Sequence, residues 1–198
     1  MSDTGLAVDE LGVTRCGWAL STQDYVAYHD DEWGVAVHGE AGLYERLTLE
    51  AFQSGLSWLT ILRKREAFRA SFAGFDAGIV AAFGEADVGR LLADVSIVRN
   101  RLKIRAAVTN ARAVLRLRDQ GGLDALFWSF APQEHRRPRT PADVPATTAE
   151  SVELARTLKR NGFVFVGPTT AYAGMQACGL VDDHLAGCFR AGRHQSGG

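Results

Sequence analysis

Apolar residues recur every three or four positions along most of this chain, and that period commits it to helices rather than sheets. It is plain in Leu43, Leu47 and Ala51, in Trp58, Ile61, Leu62, Phe68 and Phe72, in Val88, Leu91 and Leu92, and in Ile104, Ala107, Val108, Ala111 and Leu115. Thr147 with Glu150 makes a capping-box pattern ahead of Val152, Ala155 and Leu158, and Asn161-Gly162 supplies a stop. Pro168 then opens another helix through Met175 to Gly179. Only FVFVG at 163–167 has strand character, and one run without partners reads as an extended connector. The stretch 131–146, with four of the five prolines and a cluster of arginines, is expected to be a long surface loop. The fold class that follows is all-α, with two helical lobes sharing one core.

The ends lack this period. Residues 1–14 and 191–198 are expected to be disordered, flanking a single two-lobed domain over 15–190. A chain of 198 residues buries about two thirds of its unfolded surface without disulfides. Three cysteines are sparse and odd in number, no signal-peptide pattern follows Met1, and no apolar run reaches the length of a membrane span. The expectation is a cytoplasmic protein with no membrane partner. Net charge is only −1, yet seven basic residues and no acidic one fall between Arg99 and Arg118. A basic face on a neutral protein fits that layout, as does a solvated helix.

Projecting LYERLTLEAFQS at 100° per residue places Glu50 between Leu43 and Leu47, on the same stripe as Ala51 and Ser54. Leu49 and Phe52 cover the other sides, so this helix is central and the carboxyl points inward. A buried, unpaired charge is costly. The group is therefore paired with an arginine, neutralised by a raised pKa, or completed by a ligand. Tyr25, Tyr28 and Trp33 precede that helix and Trp58 follows it. Each ring alone is explained by core packing. Together with a carboxylate they suit a planar, cationic heterocycle carrying N–H donors, because aromatic faces stack on flat rings and attract cations by about 0.5 to 2 kcal/mol each.

In DVSIVRNRLKIRAA, two helical patterns are broken by a short β-branched stretch and followed by Arg99, Arg101, Lys103 and Arg105. A tight helix-hairpin-helix turn presents backbone N–H groups to a phosphate, and neighbouring cations add affinity regardless of sequence. Any arginine-rich helix after a loop shares the pattern. Cys16, His29, His184 and Cys188 form a possible Cys₂His₂ set split between the chain's ends. If they converge, one tetrahedral metal staples the termini, and four protein ligands leave it no open position for chemistry. His184 and Cys188 share one helical face or turn, whereas twelve residues separate Cys16 from His29. The alternative is two unrelated thiols and two unrelated histidines.

These segments resemble a known family. RCGW at 15–18, YVAYHDDEWG at 25–34, LEAFQSGLSWLTILRKR at 49–65, RNRLKI at 99–104, FWSF at 127–130, GFVFVG at 162–167 and MQACGLVDDH at 175–184 are similar to motifs of the 3-methyladenine DNA glycosylase I family, a branch of the helix-hairpin-helix glycosylases. The likeness runs from about residue 14 to 190. It implies a two-lobed helix-hairpin-helix fold and a structural Zn2+ held by Cys16, His29, His184 and Cys188, joining the N- and C-terminal segments. It also implies a pocket for an alkylated base built from Glu50, Tyr25, Tyr28, Trp33 and Trp58. DNA contacts fall on Ser96, Arg99, Arg101 and Lys103. Ser96 stands where the family usually has a glycine, a position expected to need positive φ and close phosphate approach.

The activity implied is removal of N3-methyladenine flipped out of alkylated double-stranded DNA, releasing free 3-methyladenine and leaving an abasic site. The methylated base is already a cation, so it leaves as a neutral purine without a protonating acid. Glu50 is assigned to base recognition, with electrostatic help at the transition state. Related helix-hairpin-helix glycosylases carry an aspartate after the hairpin; here no acidic residue follows Ser96 until Asp119. Such an enzyme is expected to act as a monomer on labile, cationic lesions. Two rivals are a non-catalytic helix-hairpin-helix DNA-binding module and a zinc hydrolase of small molecules, which would need one ligand off the metal so that water could bind.

Overall fold

A computed structural model describes residues 4–192. Among these the chain is mostly helical. After a strand pair, β1 (Leu6–Val8) and β2 (Thr14–Cys16), come α1 (Gln23–Asp31), α2 (Glu40–Gln53), α3 (Trp58–Ser71), α4 (Ala77–Ala81), α5 (Glu85–Ala93), α6 (Arg101–Leu117), α7 (Gly122–Trp128), α8 (Ala149–Arg160) and α9 (Pro168–Ala177). Three of the helices begin where side chains satisfy their open N–H groups. Thr22 caps α1, Ser57 caps α3, and Asn100 Oδ1 accepts from Leu102 and Lys103 at the start of α6.

Helix α2 is the hub, packing against α3, α6, α7 and α9. Leu43, Tyr44, Leu47, Leu49 and Phe52 are all buried, so the helix is apolar nearly all round, as its sequence indicates. Tyr44 Oη donates to the Ala107 carbonyl at 2.8 Å, tying α2 to α6. Phe52, Phe68, Phe72 and Phe75 stack beside it with ring centroids 4.7 to 6.1 Å apart. Each such ring contributes about 2 to 3 kcal/mol of burial.

Several expectations need correction. Residues 4–14 are not a frayed extension: Leu6–Val8 pairs antiparallel with Thr14–Cys16, Leu6 facing Cys16. The turn is fixed by Asp9, whose carboxylate accepts from the Leu11 and Val13 N–H groups, and by Gly12 at φ 78°. Residues 193–198 of the expected disordered tail lie outside the described residues, whereas Ala191 donates its N–H to the Cys188 carbonyl. The cap of α8 is Thr148 with Ser151, one residue later than the Thr147–Glu150 pattern, because Ser151 Oγ and Thr148 Oγ1 each accept the other's backbone N–H. The loop 131–146 contains a 3₁₀ turn at Pro141–Asp143. FVFVG forms no strand. Asn110 holds it as a connector, accepting from the Val164 N–H at 2.8 Å and donating to its carbonyl at 3.1 Å.

Two turns bring distant segments together. The Gly34 N–H donates to the Gln176 carbonyl, and the Val37 N–H to the Cys178 carbonyl, both at 3.1 Å. Gly179 has φ +75°, and a Cβ there would stand 2.7 Å from backbone atoms of Val35 and Ala36. This glycine lets the chain after α1 lie along the end of α9, beside Trp33.

Candidate active site

A cavity of about 550 Å³ opens between α1, α2, the start of α3 and α9. Glu50, Tyr25, Tyr28, Trp33 and Trp58 all line it, so the structure brings together every residue assigned to the base pocket. Trp18, Ser21, Gln53, Ala173 and Gln176 complete the wall. Trp18 was legible only as part of the RCGW run; it sits in a 3₁₀ turn and meets the edges of Tyr25 at 5.6 Å and Trp33 at 5.2 Å. Gln176 was legible only as part of the MQACGLVDDH run, since a polar residue near a helix end is ordinary until the tertiary fold is known.

Glu50 is 7% exposed and forms no ion pair or hydrogen bond among the described residues. Burial lifts its pKa to about 8, against a smaller downward pull from Arg46. The nearby arginines serve another acid: both Nη atoms of Arg65, and Arg46 Nη2 at 3.1 Å, bind Glu32. The ion-pair explanation of Glu50 therefore fails. Around it, Tyr25 Oη accepts the Leu59 N–H at 3.0 Å, which locks α1 to the first turn of α3. Tyr28 is buried and tilts toward Trp58 at 5.5 Å; desolvation and the Glu50 charge push its phenol well above the ordinary value. Trp58 Nε1 is buried without a hydrogen-bond partner among the described residues. The cavity thus offers flat aromatic faces, an inward carboxyl and an unused donor.

The chain ends meet beside this cavity. The ligand atoms of Cys16, His29 and Cys188, all buried, lie within 4.8 Å of one another and form a group able to hold a metal ion. His184 is not part of that tight group, but its ring lies 4.8 Å from that of His29. Cys188 Sγ is 3.4 Å from His29 Nε2, and Cys16 Sγ accepts the Leu185 N–H at 3.3 Å. The proximity of the two sulfurs pushes the Cys16 thiol up and the Cys188 thiol down. Asp30 sits 2.7 Å from His29 Nδ1 and is itself held by Arg15, while Asp182 sits 2.9 Å from His184 Nδ1. Carboxylates on Nδ1 are the usual outer shell of histidines that present Nε2 to a metal.

The segment 94–100 between α5 and α6 departs from expectation. Ser96 is exposed but has no positive φ, and both its N–H and its hydroxyl donate to Asp94, so that N–H is not directed at a phosphate. Lys103 is 9% exposed, and its ammonium donates to the Phe52 and Ser54 carbonyls at the end of α2. It caps a helix rather than facing solvent. Arg99 and Arg101 remain exposed, Arg101 lying 3.9 Å from Glu85. Lys64 reaches the Val95 and Ser96 carbonyls, and a groove runs from the cap residue Ser57 and from Thr60 of α3 past Lys64 to Ser96.

The family model for methyladenine glycosylases matches residues 18–191. The chain belongs to the methyladenine glycosylase family. One relative in it, DNA-3-methyladenine glycosylase 1 of Escherichia coli (strain K12), is 46% identical over 177 residues, 88% of this chain and 95% of that protein. A crystal structure of a 3-methyladenine DNA glycosylase I superposes with a TM-score of 0.85 at 45% identity, covering 88% of this chain and 98% of the other. A Tyr-to-Phe variant of 3-methyladenine DNA glycosylase I, in complex with 3-methyladenine, gives 0.84 at 31% identity over 89% of this chain and 97% of its own. The methyladenine glycosylase match begins after β1 and β2, so the strand pair stands ahead of the matched region.

Proposed function

We infer that this protein is a DNA-3-methyladenine glycosylase, a monofunctional enzyme of base-excision repair that hydrolyses the N-glycosidic bond of N3-methyladenine in alkylated duplex DNA. One observation carries the reading: Glu50, buried and without an ion pair among the described residues, inside a cavity walled by aromatic rings. A non-catalytic DNA-binding module has no use for such a group.

The flipped base enters as a cation. Its positive charge favours the ionised form of Glu50, which accepts from the exocyclic amine, while Tyr28, Trp33 and Trp58 supply faces to the ring. Bond breaking converts the cation to a neutral purine, so electrons return to the leaving group and no acid is required. Water adds to the sugar carbon, its proton passes to solvent, and the products are an abasic site and free 3-methyladenine. Glu50 contributes charge that opposes the sugar cation developing in the transition state. Helix α5, the turn 94–100 and α6 are assigned as the helix-hairpin-helix element. Arg99, Arg101, Lys64 and the N-terminal turn of α3 mark the path of the backbone phosphates.

The terminal group is assigned to a structural Zn2+ held by Cys16, His29, His184 and Cys188. The two thiols and two carboxylate-braced imidazoles suit that ion. Bound there, it supplies a cross-link between the chain ends and no reaction step. Chromatography of bases released from methylated DNA tests the function: free 3-methyladenine is expected, and its absence sinks the reading.

A further inference from the structure

Gln176 joins the base cavity to a buried polar cluster behind it. Gln176 is one of the lining residues, and its Nε2 donates at 2.7 Å to Asp183 Oδ2, a residue that does not line the cavity. Asp183 is buried and fixed from two further sides: Tyr172 Oη donates to the same oxygen at 2.7 Å, and His135 Nε2 lies 3.0 Å from Oδ1. The backbone of Gln176 is pinned by the Gly34 N–H. A carboxylate only accepts, so the amide must give Asp183 its nitrogen, and a flip would set oxygen against oxygen. Gln176 Oε1 accepts nothing among the described residues.

We propose that Gln176 is a specificity-determining contact to the base, its carbonyl oxygen held toward the cavity by the positioning residue Asp183. The proposal rests on the glycosylase reading and extends it to the choice of lesion. With Glu50 also an acceptor, the polar edge of the cavity matches a purine bearing an exocyclic amine. A purine bearing a carbonyl there, as in 3-methylguanine, meets an acceptor that cannot rotate away. Sites built around a fixed buried hydrogen-bonding group discriminate more strongly than apolar pockets.

The experiment measures release of 3-methyladenine and 3-methylguanine from the same methylated DNA by the full chain, Gln176→Met and Asp183→Asn. The ratio of the two rates is expected to fall about tenfold in Gln176→Met. It should fall less in Asp183→Asn, whose amide tolerates either orientation of Gln176. Equal slowing of both bases, with the ratio unchanged, would show a merely structural role and overturn the proposal. Should Asp183→Asn fail to fold, binding of the two free bases to Gln176→Met, read by tryptophan fluorescence, decides alone: retained preference overturns it. Wild-type protein that releases no 3-methyladenine would remove the glycosylase reading itself, an outcome distinct from an unchanged ratio in an active enzyme.

Discussion

Arg46 stands one helical turn before Glu50 on α2, yet its guanidinium turns away to bind Glu32 at 3.1 Å. The pairing that sequence spacing invites is thereby denied, and Glu50 is left for whatever fills the cavity. The arginine still acts at a distance, moderating a pKa that burial raises.

Glu50→Gln is the direct test of that division. The amide keeps the shape and the buried position but cannot carry charge. Base release is expected to drop by about 100- to 1000-fold, with an unchanged helical spectrum; near wild-type release would reassign Glu50 to the core.

The same substitution changes how stability responds to pH. The folded pKa of Glu50 is about 8 against an ordinary 4.5, so the native state holds a proton that the unfolded state gives up. Stability from this group is fully present below the ordinary value and is lost as pH rises through the folded one. Glu50→Gln escapes that loss. Its Tm should therefore gain on the wild type steadily from acid to mildly alkaline pH, and a constant difference would mean that Glu50 is paired in solution.

Lys103 and Arg99 share a basic run but are expected to behave oppositely. Lys103→Met leaves two carbonyls at the end of α2 without their donor, and should cost about 1 to 3 kcal/mol in denaturant unfolding with no change in the salt dependence of DNA binding. Arg99→Glu or Arg101→Glu should leave unfolding alone. Each should weaken binding to any duplex and flatten the salt slope by about one. A steepened or unchanged slope would take this turn off the DNA.

Metal content is checked by atomic absorption, with one zinc per chain expected. Chelation, or Cys188→Ser, should lower the helical signal and the Tm together, and the loss of activity should follow the loss of structure. Activity lost at full helicity would instead make the ion a reactant-facing one.

The helices, the inward Glu50 and the aromatic set were all legible from the chain because each follows from local period and side-chain type. What escaped depended on partners remote in sequence. Lys103 looks like its neighbours Arg101 and Arg105 until α2 ends beside it. Ser96 looks like a substitute for a flexible glycine until Asp94 is seen to bind it. The strand at Leu6–Val8 has too few residues to show a period, and its partner strand ends in a cysteine whose interest lay elsewhere. Gln176 acquires meaning only through Asp183, which the sequence marked solely as part of a motif.

The cavity wall takes Trp18 from one end of the chain and Gln176 from the other, and the Leu185 N–H bonds the Cys16 sulfur across 169 residues. Closure over such a separation comes late, because short-range helices form before distant segments meet. During synthesis the pocket cannot exist until nearly the whole chain has left the ribosome. A product ending before α9 would carry Glu50 and most of the rings, yet would lack the wall that Ala173 and Gln176 supply.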